Sequence, residues 1–212
     1  MWWLSRAAST DARAQKTAQA FAKILNAAGV NFAVLGRNES CTGDPAQPRG
    51  ARGYFLRNGI AECRSPQRSE NRNGFVATCP HCLHTIKNEY PAFGGNYEVV
   101  HHTQFINELV GAGKISLEVS SDQFSVTFHD PCYLGRHNKI FDAPREALKS
   151  TGALTIEMPR NSAKSFCCGA GGAQMWKDRE ESGTARVNQT RFAERESDRR
   201  VHACVDVHSA WR

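Results

Sequence analysis

The residues best equipped for chemistry are cysteines. The 212-residue chain carries eight. Cys167 and Cys168 are adjacent and run into Gly169, Gly171 and Gly172. Thirty-four residues separate Cys132 from the pair and thirty-five separate the pair from Cys204. Neighbouring cysteines make poor disulfide partners, because Cα atoms about 3.8 Å apart fall short of the roughly 4.4–6.8 Å of a relaxed bridge. Two adjacent thiolates can instead reach two different irons of one inorganic core, and soft thiolates are the ligands such a core requires. Gly169 and the glycines after it let the backbone turn with φ > 0, approach the core closely and point N–H groups at sulfur. Four thiolates also suit one tetrahedral zinc, as in a zinc-stabilised interaction module. Zinc sites are, however, built from close pairs, and these long gaps with an adjacent pair favour a polynuclear core.

Cys79-Pro80-His81-Cys82 is a second constellation. At a strand-to-helix turn its thiols can clamp iron or zinc, or act as the dithiol of a thiol–disulfide oxidoreductase, since a helix N-terminus favours the thiolate in either case. Cys41 stands upstream as a further donor. Cys63 fits no position in either set. His101, His102, His129 and His137 are read as structural before they are read as ligands.

The elements that must carry these residues follow from periodicity. Ala14, Ala18, Phe21, Leu25 and Ala28 recur at helical spacing between Asp11 and Ala28, with Ser9, Thr10 or Asp11 to cap the start and Gly29 to end it. Val30 to Leu35 reads as a buried strand delivering Cys41. Residues 47–74 are arginine-rich with no helical or alternating pattern, an atypical stretch for a compact domain. Phe75 to Thr78 reads as a strand entering Cys79, with a helix beyond that buries Leu83, Ile86 and Tyr90. Tyr97 to Val100 is a strand, followed by a helix bearing Phe105, Ile106, Leu109 and Val110. Gly111 to Asp122 reads as a joint. The order then restarts, with strand Ser125 to Phe128, Cys132, a helix near Pro144 to Ser150, strand Leu154 to Met158, Cys167-Cys168, a helix near Ala185 to Glu196 and a short strand near Val201. This is an α/β repeat of roughly a hundred residues per unit, divided as residues 1–112 and 113–212.

Composition narrows the field. Apolar residues make up 40% and charged residues 23% of the chain, as in globular proteins, and no run of about twenty apolar residues could span a bilayer. Met1 to Arg6 lacks the apolar core and cleavage site of a secretory signal, so a cytoplasmic location is expected. The net charge of +6 comes from arginines in two local stretches without interleaved aromatics, which argues against a nucleic-acid partner.

Phe128-His129-Asp130-Pro131-Cys132-Tyr133-Leu134-Gly135-Arg136-His137 and Phe166-Cys167-Cys168-Gly169-Ala170-Gly171-Gly172 resemble the cysteine-rich CCG-domain proteins. These include the B and D subunits of heterodisulfide reductase and the iron–sulfur subunits of glycolate and lactate oxidation. The family frame is a cysteine, a gap, Cys-Cys-Gly, a similar gap and Cys-x-x-Cys, usually present twice. The resemblance implies two similar CCG units packed together. It implies a [4Fe–4S] cluster on Cys132, Cys167, Cys168 and Cys204, and a less complete set of Cys41, Cys79 and Cys82. The function implied is that of an oxidoreductase subunit passing electrons between a redox partner (a flavoprotein, a ferredoxin-type or a quinone-linked protein) and a terminal acceptor. Two departures stand out: no cysteine occurs near Ser5, and Cys204-Val205-Asp206-Val207 ends in valine. No ferredoxin-type Cys-x-x-Cys-x-x-Cys run is present either, so the resemblance implies electrons supplied by another subunit, with membrane contact only peripheral.

Overall fold

The structure, a computed structural model, describes residues 1–44, 74–117, 125–169, 171 and 200–202. The stretch from 47 to 73, Cys63, the expected helix near 185–196 and Cys204 lie outside the described residues.

Two small parallel sheets organise the chain. In the first, β1 (Trp2–Trp3), β2 (Phe75–Ala77) and β3 (Val99–His101) lie in that order, with Trp3 opposite Ala77 and Ala77 opposite His101. Successive strand residues point to opposite faces, so Trp2 and Trp3 enter different cores. Trp2 packs with Phe21, Leu25 and Leu109. Those residues come from α2 (Ala12–Ala27), which follows the one-and-a-half-turn α1 (Arg6–Thr10), and from α4 (His102–Gly111). Trp3 packs with Phe75, Ala77, Leu83, Ile86 and Tyr90. Here the cover is α3 (Pro80–His84), the π-helical turn Thr85–Glu89 and the 3-10 turn Tyr90–Phe93. The sheet is thus sandwiched between two helical layers.

The stripe on α2 is buried as its spacing requires, with Ala14, Ala18, Phe21, Leu25 and Ala28 all at 9% exposure or less. Asp11 caps the helix by accepting the Ala14 N–H at 3.0 Å. Gly29 ends it in the left-handed region at φ 63°, where Val30 N–H returns to Leu25 O at 3.0 Å.

The second sheet has the order β5-β4-β6, with β4 (Ser125–Phe128) between β5 (Leu154–Thr155) and β6 (Arg200–His202). Phe128 registers with His202, two residues before Cys204 in sequence. Helix α5 (Asp142–Ser150) connects β4 to β5 and packs beside α4, where Asn107 Nδ2 donates to Ala143 O and Glu146 Oε2. Ile140 packs against the core of the first sheet.

One expectation fails. Val30 to Leu35 is neither a strand nor buried: it touches β1 through a single hydrogen bond, Trp2 N–H to Ala33 O at 2.9 Å, and Val34 is 46% exposed. Its apolar run lies along the sheet edge, where one face remains in water. The strand expected at Leu154 to Met158 is also shorter and stops at Thr155. Beyond it Ile156 N–H still reaches Val126 O, while Ile156 O accepts the Thr127 hydroxyl.

Candidate functional site

The turn after β4 and the turn carrying Cys167-Cys168 are pinned side by side. His129 Nε2 lies 3.0 Å from Phe166 O, Ser165 Oγ donates to Asp130 O at 3.2 Å, and Ser162 N–H donates to Asp130 Oδ2 at 2.6 Å. Thirty-odd residues of separation therefore close to adjacent backbones. Cys132 opens the π-helical turn Tyr133–His137, whose last N–H returns to Cys132 O.

The three described sulfurs of this set have different surroundings. Cys168 is buried, Cys132 half-buried and Cys167 exposed, and none is part of a disulfide. A hydrogen bond with Cys168 pulls the Cys167 thiol down to about 5, helped by the Gly169 N–H and by the charges of Arg136 and His81. The direction of the shift favours the thiolate, the form that binds a soft metal. Burial, and after it the neighbouring Cys167, push the Cys132 thiol up, while Arg136 pulls it down. Gly169 adopts φ 81°, a left-handed conformation that favours glycine, and its N–H points at Cys167 Sγ from 3.4 Å.

The first set is tied together by Thr42. Its hydroxyl donates to Cys82 Sγ at 3.7 Å, and its carbonyl accepts the Tyr90 hydroxyl at 3.3 Å, so the loop bearing Cys41 lies against the helix bearing Cys82. Cys79 is the N-cap residue of α3, with Pro80 in the first turn. Cys79 is 3% and Cys82 7% exposed, which gives an external disulfide little access to the pair. Ser5, where a further cysteine would complete this set, is buried and adopts φ 72°. Its Oγ accepts the Ala8 N–H within α1, and its own N–H donates to Glu39 Oε1.

The two sets face each other through residues that the spacing of cysteines did not single out. His81, between Cys79 and Cys82, places Nδ1 2.8 Å from Asp44 Oδ2, a carboxylate 5% exposed. The His81 ring stacks on Tyr133, with centroids 4.2 Å apart and planes at 29°. On its other side His81 meets the glycine turn: a Cβ at Gly171 would lie 3.5 Å from His81 Cε1. Tyr133 also packs on His84 and His137. Its hydroxyl keeps its proton, because burial and the Asp44 and Glu89 carboxylates raise its pKa well above the ordinary tyrosine range. His101 ends β3 and caps α4, of which His102 is the first residue, whereas His129 takes part in the pinning of the two turns.

Among the described residues no three His, Cys, Asp or Glu side chains gather tightly enough to hold a single metal ion. One zinc would need its thiolates within about 2.3 Å of a common centre. A sulfur-bridged core presents separate irons, so its ligands need not share one coordination sphere. The donor set of soft sulfurs, one with its thiol pulled down and one buried just before a left-handed glycine, suits that kind of group.

Comparison with known proteins agrees with the frame of two repeats. The chain is 42% identical over 195 residues to the probable iron-sulfur-binding oxidoreductase FadF of Bacillus subtilis (strain 168), covering 91% of this chain and 27% of that protein. It is 38% identical over 174 residues to the EtfAB:quinone oxidoreductase of Syntrophomonas wolfei subsp. wolfei, covering 82% of this chain and 24% of the relative. The D subunit of the dihydromethanophenazine:CoB--CoM heterodisulfide reductase of Methanosarcina barkeri is 34% identical over 168 residues, with 72% of this chain and 39% of the subunit covered. This chain thus spans only about a quarter of the first two relatives. No solved structure matches it. The family described as CCG, cysteine-rich domain, matches residues 7–87 and again 126–206, and the chain belongs to the cysteine-rich CCG-domain family.

Proposed function

We propose that this chain is the electron-transfer part of an iron–sulfur oxidoreductase related to heterodisulfide reductase. In this reading Cys132, Cys167, Cys168 and Cys204 hold one [4Fe–4S] cluster. Cys41, Cys79 and Cys82 form a three-thiol set that is complete only with a ligand from water or a partner. Residues 1–112 and 113–212 are the two units. The observation that carries the reading is the pinning of the Cys132 turn beside the Cys167-Cys168 turn through His129, Ser165 and Asp130. The names of the relatives add support, since they include iron-sulfur-binding and quinone oxidoreductases.

When bound, such a cluster supplies electron relay at a potential set by burial, charge and hydrogen bonds to sulfur. The chain's residues set those conditions. The Gly169 N–H is aimed at Cys167 Sγ, the burial of Cys168 keeps water from one flank, and Arg136 places positive charge near two thiols. In this reading the electron donor is a flavoprotein, a ferredoxin-type protein or a quinone-linked protein, in keeping with a relative named as an EtfAB:quinone oxidoreductase. No helix among the described residues is long and apolar enough to cross a membrane. In this reading contact with a membrane is peripheral, through a partner, and the site works from the cytoplasmic side.

Anaerobic reconstitution tests the reading. Brown protein with broad visible absorption and about four irons per chain is expected, with iron lost in Cys132→Ser, Cys167→Ser and Cys168→Ser. Colourless protein that takes up no iron, or equal iron in wild type and these variants, would refute it.

A further inference from the structure

Arg136 sits on the π-helical turn Tyr133–His137, directly after Cys132. Its Nε is buried and has no hydrogen-bond partner. The other arginine beside this site, Arg145, is gripped by the carboxylates of Asp130 and Glu157. Among the described residues, no carboxylate pairs with Arg136. Its electrostatic neighbours are the thiols of Cys132 and Cys167 and the ring of His129. His129 supplies no counter-charge, because burial drives that imidazole toward its neutral form.

A guanidinium cannot shed its proton, and the Arg136 Nε lies out of water with no acceptor. Among the described residues, the groups beside Arg136 able to become negative are the thiols of Cys132 and Cys167. We propose that Arg136 is the fixed counter-charge of the Cys132–Cys167–Cys168 site and raises the reduction potential of the group bound there. This inference rests on the cluster reading given above. An added electron makes a thiolate-bound core more negative, so a fixed neighbouring cation stabilises the reduced form more than the oxidised one. Arg136 is accordingly a positioning and charge-setting residue, with no role as ligand or proton donor.

The test is a redox titration of the full, anaerobically reconstituted chain as wild type, Arg136→Gln and Arg136→Lys, with iron and sulfide quantified in each. Arg136→Gln is expected to carry as much iron as wild type but to favour oxidation about tenfold, a fall of about 59 mV for a one-electron couple. Arg136→Lys, which keeps the charge, should retain most of the wild-type potential. Iron uptake by Arg136→Lys but not by Arg136→Gln would also support the role, since the charge would then be needed for assembly. An unchanged potential in fully loaded Arg136→Gln overturns the inference and leaves the cluster reading standing. An equal fall in both variants, or loss of iron from both, replaces the charge role by a structural one. A wild type that takes up no iron overturns the cluster reading and this inference with it.

Discussion

Arg145 grips Asp130 with a two-pronged fork, Nη1 to Oδ1 at 2.7 Å and Nη2 to Oδ2 at 2.9 Å. The same guanidinium holds Glu157 through Nε at 2.6 Å and Nη2 at 2.9 Å. Asp130 is 2% exposed and also accepts the Ser162 N–H. The ion pair therefore joins three pieces: the turn entering Cys132, helix α5 and the approach to Cys167. Arg145→Ala would leave a buried carboxylate without its cation, a loss of about 3–5 kcal/mol. The expected result is a lower urea midpoint together with reduced iron uptake. Asp130→Asn should do less damage, because the guanidinium keeps Glu157. Equal stability of Arg145→Ala and wild type would show that the fork does not hold the turns.

Gly135 tests the same turn by volume. A Cβ there would come within 2.6 Å of Phe141 Cε1, closer than carbon atoms pack, and Gly135 lies on a buried part of the π-helical turn. Gly135→Ala should destabilise the protein by about 1–3 kcal/mol through overpacking. Adding Phe141→Leu should recover part of that loss, because the two positions share one space and their effects cannot be additive. Thermal melts of the two single variants and the double variant measure this; additive losses would place the strain elsewhere.

The pair His101 and His102, with ring centroids 4.2 Å apart, predicts a pH response. Burial lowers both imidazoles and outweighs their contacts with the backbone of Thr78 and Ala77, taking His102 to about 4. A lowered histidine leaves stability whole above the unfolded value near 6.5. As pH falls below that value, the unfolded chain takes up the proton and the folded chain does not, so stability is lost toward the folded pKa. Because His102 keeps some solvent contact, the expected loss between pH 6.5 and 5 is on the order of 1 kcal/mol. Urea midpoints across this range should fall in the wild type and fall less steeply in His102→Gln, where His101 alone remains. A wild-type midpoint that stays level would refute the assignment.

The sequence speaks most plainly where spacing alone carries the meaning. Strand β4 falls on the residues expected, and the stripe from Ala14 to Ala28 is buried throughout. Gly169 has the left-handed turn and the sulfur-directed N–H that its place after two cysteines implied. What escaped was non-local. β1 is two residues long and exists because Trp2 and Trp3 pair with Val76 and Ala77, more than seventy positions away, so no periodicity announces it. Val30 to Leu35 has the composition of a buried strand but lies on an edge. Asp44 and His81, thirty-seven residues apart, meet only after the first unit has folded. Arg136 and Tyr133 lay within a quoted motif, yet their roles depend on what faces them. A lone polar residue near a cysteine is a weak signal until its partners are known.

Tyr133 is one of the places where the two units touch. Its ring stacks on His81 of the first unit and packs on His137 of the second at 4.9 Å, while His84 adds an edge contact at 5.0 Å. Asn138 Nδ2 donates to Tyr133 O from one side, and Asn88 Nδ2 reaches Asn138 Oδ1 across the junction at 2.9 Å. Each aromatic pair contributes about 0.5–1.5 kcal/mol beyond the area it buries, so Tyr133→Leu should cost about 1–3 kcal/mol even though its apolar volume is largely kept. Tyr133→Phe keeps every ring contact and should lose no more than about one hydrogen bond, roughly 0.5–1.5 kcal/mol. The shape of the unfolding curve separates coupling from simple packing. Two units joined mainly through this ring should melt as one in the wild type and in Tyr133→Phe, and over a broader or divided transition in Tyr133→Leu. A single sharp transition in Tyr133→Leu, at the wild-type midpoint, would place the joint at α4 and α5 instead, where Asn107 spans to Ala143 and Glu146.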